Sequence, residues 1–408
     1  MLGTRLRQSS MEAGERWTLN DAAGKPIRAF DSRGFARRMT YDALRRPTGL
    51  FVTENGAERL AERTVYGEGQ GDAANHRGRV YQVFDGAGIV TSDAYDFKGN
   101  LLAGRREMLA DYQAVVNWLN PAPAMLGTFT SSTTYDALNR LTAATSPDSS
   151  VYRATFNAAN LLERVDVNLE GAAAATPFVT DIDYDAKGQR QAIAYANGAT
   201  TTTTYDPLTS RLTTLRTTRP AGPNGLAALF ANATVVQDLR YTYDPAGNIT
   251  RIEDAALPTI FHNNEQVAPV CAYPYDALYR LIEATGREHI AQTGHDFGPP
   301  PPGGNYRDHP FAGLRANPND PTALRNYTER YEYDAVGNFT TMRHIAANGQ
   351  WTRAYTYDEA SLLEPTKRSN RLTSSQVGDD HAHPAESYAH DAHGNVTRLP
   401  HLGGAAAA

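Results

Sequence analysis

Along most of the chain, hydrophobic and polar residues alternate with a period of two. In Tyr241-Thr242-Tyr243 both rings fall on one face and the threonine on the other, the pattern of a half-buried β-strand. The strand stops at Asp244. Asp244-Pro245-Ala246-Gly247 has the signature of a type I turn: a carboxylate that bonds backbone N–H groups, a proline that presets φ, and a glycine that accepts a left-handed conformation. Asn248-Ile249-Thr250 then starts a returning strand, so the unit is a β-hairpin.

The chain rewrites this hairpin many times. Close variants begin at Tyr331 (YEYDAVGNFTTM), Tyr355 (YTYDEASLLEP) and Tyr388 (YAHDAHGNVTRL). The Tyr-Asp signature stands at Tyr41-Asp42, Tyr95-Asp96, Tyr135-Asp136, Tyr184-Asp185, Tyr205-Asp206, Tyr243-Asp244, Tyr275-Asp276, Tyr333-Asp334 and Tyr357-Asp358. Before Asp391 a histidine, His390, takes the tyrosine place. Asp-x-x-Gly spacing starts at Asp21, Asp31, Asp85, Asp96, Asp185, Asp244, Asp334 and Asp391, with Gly247, Gly337 and Gly394 closing the last three turns. A second version, Tyr-Asp-Ala-Leu-x-Arg, puts Arg45, Asn139 and Tyr279 where glycine would stand. Arg and Tyr enter the left-handed region reluctantly, which predicts that those turns are built differently.

A group needed for chemistry is needed once, so a motif repeated this often is architecture. The spacing from Tyr184 to Tyr205, 21 residues, suits two short strands and their turns. The expected fold is therefore all-β, a ribbon of successive hairpins with at most one or two short helices. RREMLADYQAVVNWL, from Arg105 to Leu119, is the best helical candidate, with Met108, Tyr112, Val115 and Leu119 on one stripe. We divide the chain into a repeat segment, 1–402, and a Gly/Ala tail, 403–408. The stretch 298–321 carries seven prolines and interrupts the repeat as a polyproline-like loop.

Composition narrows the function classes. A net charge of −6 over 408 residues gives no pull toward nucleic acid. Mean hydropathy is −0.51, and no stretch approaches the roughly 20 apolar residues of a membrane span. Arg5 and Arg7 are followed by no apolar run, which predicts synthesis without a secretory signal and export by a non-classical route. The single cysteine, Cys271, excludes an internal disulfide framework and reads as a small strand residue. Tyrosine leads the aromatics, 22 against 13 Phe and 3 Trp, which suits surfaces where a ring packs and its hydroxyl finds a partner.

Candidate chemistry is sparse. Paired carboxylates could hydrolyse a sugar bond, but every prominent Asp already has a task in a turn. Nucleophile-elbow, zinc-protease and phosphate-loop patterns are absent, and the Gly67-Glu68-Gly69-Gln70-Gly71 cluster reads as a loop. His381, His383, His390, His393 and His401 crowd the last thirty residues. His-x-His and His-x-x-His can converge on a metal, yet the stronger reading is a decayed repeat with histidines on loops. We therefore expect no enzyme activity, no cofactor and no metal site.

The quoted repeats resemble the Rhs, or YD-repeat, family: bacterial Rhs proteins, the YD shell of teneurins, and the B and C components of insecticidal toxin complexes. The likeness to toxin complexes is carried by YDALYRLIEATGREH from Tyr275, YEYDAVGNF from Tyr331, NGQWTRAYTYDEASLLEP from Asn348, SNRLTSSQVG from Ser369 and YAHDAHGNVTRLPHL from Tyr388. The resemblance implies a β-ribbon that spirals into a hollow shell and sequesters an effector until delivery. Implied partners are a shell partner, a translocation channel component and an encapsulated effector domain. The aspartyl self-cleavage motif of the family's core segment is not matched, since Asp206-Pro207 and Asp244-Pro245 lie inside ordinary repeats. Two alternatives stand beside this reading: a surface module that binds glycans through rows of Tyr, Asp, Asn and Arg, and a nonfunctional shell fragment.

Overall fold

A computed structural model describes residues 5–220, 234–290, 322–378 and 386–399. Those residues form thirty β-strands and three short 3-10 turns, with no α-helix among them. The described residues group into two compact units. The first comprises 5–9, 14–189 and 193–197; the second comprises 10–13, 190–192 and the described residues from 198 to 399.

In the first unit, strands pair antiparallel in chain order from Gly14–Asn20 through Pro26–Asp31 and Ala36–Tyr41 to Leu162–Asn168 and Thr176–Tyr184. Its hydrophobic core is small. Leu60, Ile89, Leu109 and Trp118 are buried together, with Phe51, Phe84, Val116 and Met125 packed against them. Threonine and alternating polar residues fill most of the remaining strand positions, so backbone ladders and side-chain hydrogen bonds carry much of the cohesion.

The second unit continues the pattern from Thr200–Tyr205 through Leu212–Thr218, Val235–Tyr243 and Ile249–Asp254 to Leu324–Tyr333, Phe339–Ile345, Trp351–Thr356 and Ser374–Val377. A separate small hairpin, Ile260–His262 with Glu265–Val267, turns at Asn263 and Asn264, both in the left-handed region.

The helix expected over Arg105–Leu119 does not form. Residues through Leu109 complete the strand Leu101–Leu109, paired with Met125–Tyr135, and an irregular loop follows. Leu109 is buried, whereas Met108, Tyr112, Val115 and Leu119 of the expected stripe are exposed. The loop is fixed by tertiary bonds that outweigh helical periodicity. Trp118 donates its backbone N–H to Leu60 O at 3.0 Å and its indole N–H to Asp85 O at 3.1 Å, and Asn117 Oδ1 accepts from Leu60 N at 3.0 Å.

The segment 298–321, the tail 403–408, and His381, His383 and His401 lie outside the described residues. Cys271 sits half-buried in the strand Val270–Ala272, opposite Ile252.

Candidate functional site

The repeated feature is a turn built around one carboxylate. At Asp244 the backbone N–H of Gly247 reaches Asp244 O at 3.1 Å, and Asp244 N donates to Asn248 O at 3.0 Å. Asp244 Oδ1 accepts the N–H groups of Gly247 and Asn248, and Oδ2 accepts the Asn248 side-chain amide at 2.7 Å. Gly247 stands at φ +109°, and the register slips by one residue between Thr242 and Tyr243. This is a type I turn closed by a left-handed bulge residue, the three-residue hairpin that matches strand twist. The same backbone pair of bonds recurs at Asp21, Asp31, Asp42, Asp96, Asp136, Asp185, Asp276, Asp334 and Asp391.

The turns without glycine are not built differently, contrary to the expectation from Arg45 and Tyr279. Arg45, Asn139 and Tyr279 adopt φ of 61°, 64° and 61° and keep the full hydrogen-bond pattern. The next residue compensates. Arg46, Arg140 and Arg280 each donate Nε to the second carboxylate oxygen of Asp42, Asp136 and Asp276 at 2.6–2.7 Å, where glycine turns use Asn100, Asn248, Asn338 and Asn395. A charge-assisted bond of this kind can offset the roughly 1 kcal/mol that a side chain pays in the left-handed region.

These bonds hold the carboxylates ionised. Asp244 lies below the usual carboxylate range, first because of the Asn248 amide, with partial burial opposing and backbone N–H groups adding. Asp136 and Asp276 are lowered first by the backbone N–H of Arg140 and Arg280.

Tyrosine connects one turn to the hairpin before it. Tyr243 Oη donates to Leu212 O at 2.7 Å, Tyr333 Oη to Leu281 O at 2.7 Å, Tyr275 Oη to Ile249 O at 3.0 Å, and Tyr184 Oη to Leu162 O at 2.6 Å. Near the other end, Tyr41 reaches Pro26 O, Tyr66 reaches Pro47 O and Tyr95 reaches Val80 O. Each acceptor is the carbonyl of the first paired residue after a preceding turn, a strand residue except at Leu281, which makes an isolated bridge with Tyr275. Immediately before five of these carbonyls stands a cation over the same ring: Lys25 on Tyr41, Arg46 on Tyr66, Arg79 on Tyr95, Arg211 on Tyr243 and Arg280 on Tyr333, at 3.9–5.6 Å from the ring centroid. Arg79, Arg211 and Arg280 also donate to the carbonyls of Asp96, Asp244 and Asp334. In the sequence this cation is visible only as a Lys or Arg just before the returning strand, and its role as a clamp on the next repeat was not legible there.

Departures from the unit follow local sequence. At Tyr135 and Tyr205 a threonine two residues earlier takes the carbonyl: Thr133 Oγ1 bonds Leu101 O, and Thr203 Oγ1 bonds Arg190 O. Asp206 makes a turn one residue longer, with Ser210 left-handed and Arg211 O accepting from Asp206 N. Asp85 closes a two-residue loop opposite Gly88 and pairs with Arg106. Tyr357-Asp358 forms no hairpin turn. Asp358 is exposed and its N–H bonds Thr373 Oγ1, while Ser361, at the place of the left-handed residue, pairs with Lys367 O. Asp391 and Gly394 keep the turn despite His390 at the tyrosine position.

The second unit also buries charge. His344 is 1% exposed, with Nε2 at 3.0 Å from Glu288 and Nδ1 at 3.2 Å from Glu329, and its ring stacks between Tyr327 and Trp351. Glu288 also takes Arg325, and Arg353 pairs with Glu386. Gly286 leaves the room that the Tyr327 ring occupies, since a Cβ there would stand 2.6 Å from Tyr327 Oη. Burial opposes a charge on His344, but the two carboxylates outweigh it and raise its pKa to about 9. Among the described residues no cluster of three or more His, Cys, Asp or Glu is arranged to hold a metal ion, and no helix is long and apolar enough to cross a membrane.

No protein-family model matches the chain. Toxin subunit YenC2 of Yersinia entomophaga is 31% identical over 388 residues, 88% of this chain and 38% of that subunit. Toxin subunit YenC1 of the same organism is 30% identical over 394 residues, 93% of this chain and 37% of that subunit. The chain thus spans under two fifths of the curated relatives it matches. The crystal structure of TcdB2-TccC3-Cdc42 superposes with a TM-score of 0.76 at 28% identity, over 97% of this chain and 18% of that one. A Photorhabdus luminescens Tc holotoxin pore superposes at 0.77 and 28% identity, over 97% and 17%. Repeat chemistry, sequence relatives and solved structures agree: the chain belongs to the Rhs/YD-repeat family of toxin-complex subunits.

Proposed function

We propose that this chain is a stretch of wall in a toxin-encapsulating shell, which sequesters an effector before its delivery. The observation that supports this most is the repeated clip of Asp turn, cation and tyrosine hydroxyl. Its groups are occupied with one another, so it stiffens a ribbon rather than presenting a reactive site. The wall acts by confinement and carries no catalytic residue of its own. Its partners are a second shell subunit, a translocation channel component and the enclosed effector, and it leaves the cell by a non-classical route.

Coexpression with toxin-complex subunits tests the assignment. The chain should copurify with a shell partner, and the assembled particle should show a low-density interior in small-angle X-ray scattering. A chain that stays alone and extended would overturn it.

A concavity of about 530 Å³ in the second unit supports a second reading. Glu332, Thr341, Arg343, Gln350 and Thr352 line it beside Trp351, a polar set that suits a sugar. Saturable binding of an oligosaccharide, lost in Arg343→Ala, would favour a glycan-binding module.

A further inference from the structure

One turn near the start of the sequence belongs to the second unit. Ser10–Ala13 is a tight turn in which Ser10 Oγ accepts the backbone N–H groups of Glu12 and Ala13, and Gly14 follows at φ +63°. Its outward acceptors are taken by residues some 350 positions later. Met11 O accepts from Leu362 N at 3.1 Å, Glu12 Oε1 from Asn370 N at 2.7 Å, and Glu12 O from Nε of Arg371 at 3.1 Å and from its Nη2.

Arg371 explains why the turn fits. It stands in Asn370-Arg371-Leu372, the same sequence frame as Asn139-Arg140-Leu141, Ser210-Arg211-Leu212 and Tyr279-Arg280-Leu281. In two of those frames, Arg211 and Arg280, the guanidinium caps a carbonyl of the next Asp turn. Arg371 is 6% exposed and caps Glu12 O instead, while its Nη1 is held by Glu359 at 2.6 Å. Gly394 completes the seat: a Cβ there would lie 2.6 Å from Glu12 O. Between Glu359 and Arg371 the internal bonds are those of a loop, Ser361 N to Lys367 O, Lys367 N to Glu364 O and Ser369 N to Glu359 O, with an isolated bridge between Ala360 and Arg368, and none of them uses the Leu362 or Asn370 amide.

We infer that Glu359, Asn370, Arg371 and Gly394 form a binding site for a peptide turn, and that Ser10–Ala13 is the latch that fills it. The latch substitutes for a missing repeat turn. It supplies acceptors to the buried Arg371 guanidinium and to the Leu362 and Asn370 amides, which no strand pairs, so those two amides are protected only while the turn is seated.

Hydrogen exchange on the full chain tests this at two reporter amides, Leu362 and Asn370. Both should be protected in the unmodified protein. Gly394→Val should unseat the latch and raise exchange at both amides by about tenfold or more, with the Gly247 and Gly337 amides unchanged. Glu12→Ala keeps the Asp391 turn intact and removes a single acceptor, so it should speed Asn370 alone and leave Leu362 protected. Free exchange of both reporters in the unmodified protein, or no change at Asn370 in Glu12→Ala, would overturn the inference.

Discussion

Tyr243 and Leu212 lie 31 residues apart, yet the tyrosine hydroxyl donates to the Leu212 carbonyl at 2.7 Å while Arg211, one residue earlier, covers the ring. One side chain thus joins a turn to the hairpin before it. Tyr243→Phe keeps the ring and removes the bond. It should cost about 1 kcal/mol, with a similar cost for Tyr333→Phe. Tyr135→Phe should stay within about 0.5 kcal/mol, because Thr133 holds the corresponding carbonyl there. Urea denaturation of the three variants measures this, and equal losses in all three would show that the hydroxyls do not act as clips.

The left-handed turn position predicts substitutions of opposite sign. Gly337 stands at φ +101° with open space around it, so Gly337→Ala should cost about 1 kcal/mol from backbone strain alone. Gly247→Ala should cost more, since its Cβ would stand 2.9 Å from Arg211 Nη2 and disturb the clamp on Tyr243. Tyr279→Gly, at φ 61°, should stabilise by up to about 1 kcal/mol. Thermal unfolding of each variant checks the order, and a destabilising Tyr279→Gly would contradict it.

Two pH limits follow from the titrating groups. The turn carboxylates Asp136, Asp244 and Asp276 have folded pKa values below their ordinary 3.8, so their contribution is present above that value and is lost as pH falls through the folded values. His344 has the opposite sign. Its pKa rises from 6.5 to about 9, so its stabilisation is complete below pH 6.5 and fades as pH rises through 9. The groups around it are Glu288, Glu329 and Arg325, with Tyr327 and Trp351 on its faces. A His344→Gln variant should lose the alkaline decline in melting temperature while keeping the acid one. An unchanged alkaline profile would place that titration elsewhere.

The buried ion group predicts a loss confined to the second unit. Arg325→Met leaves Glu288 facing His344 with one cation instead of two and should cost about 3–5 kcal/mol. Exchange rates in the strand Glu283–His289 should rise while those in Pro47–Glu54 stay the same. A uniform rise would mean that the loss is not local.

The strand and turn at Tyr243-Asp244 were readable because period-two alternation and the Asp-x-x-Gly spacing act within a few residues. The turn at Asp276 was only half readable: Tyr279 looked wrong for it, and the compensating Arg280 works through its side chain. The stretch 105–119 misled, since its apolar spacing suits a helix while Trp118 and Asn117 are held by Leu60 and Asp85 far away in sequence. Tyr357-Asp358 misled for the converse reason, a familiar dipeptide whose Ser361 is drawn to Lys367 O and does not close the turn. The His344 group left no local signal, because its members come from three strands.

Protease protection of the effector tests confinement most directly. The chain, assembled with its toxin-complex partners around an effector, should shield that effector from an added protease that digests the free effector under the same conditions. Digestion of the assembled effector at the rate of the free one would contradict the account of this chain as an enclosing wall.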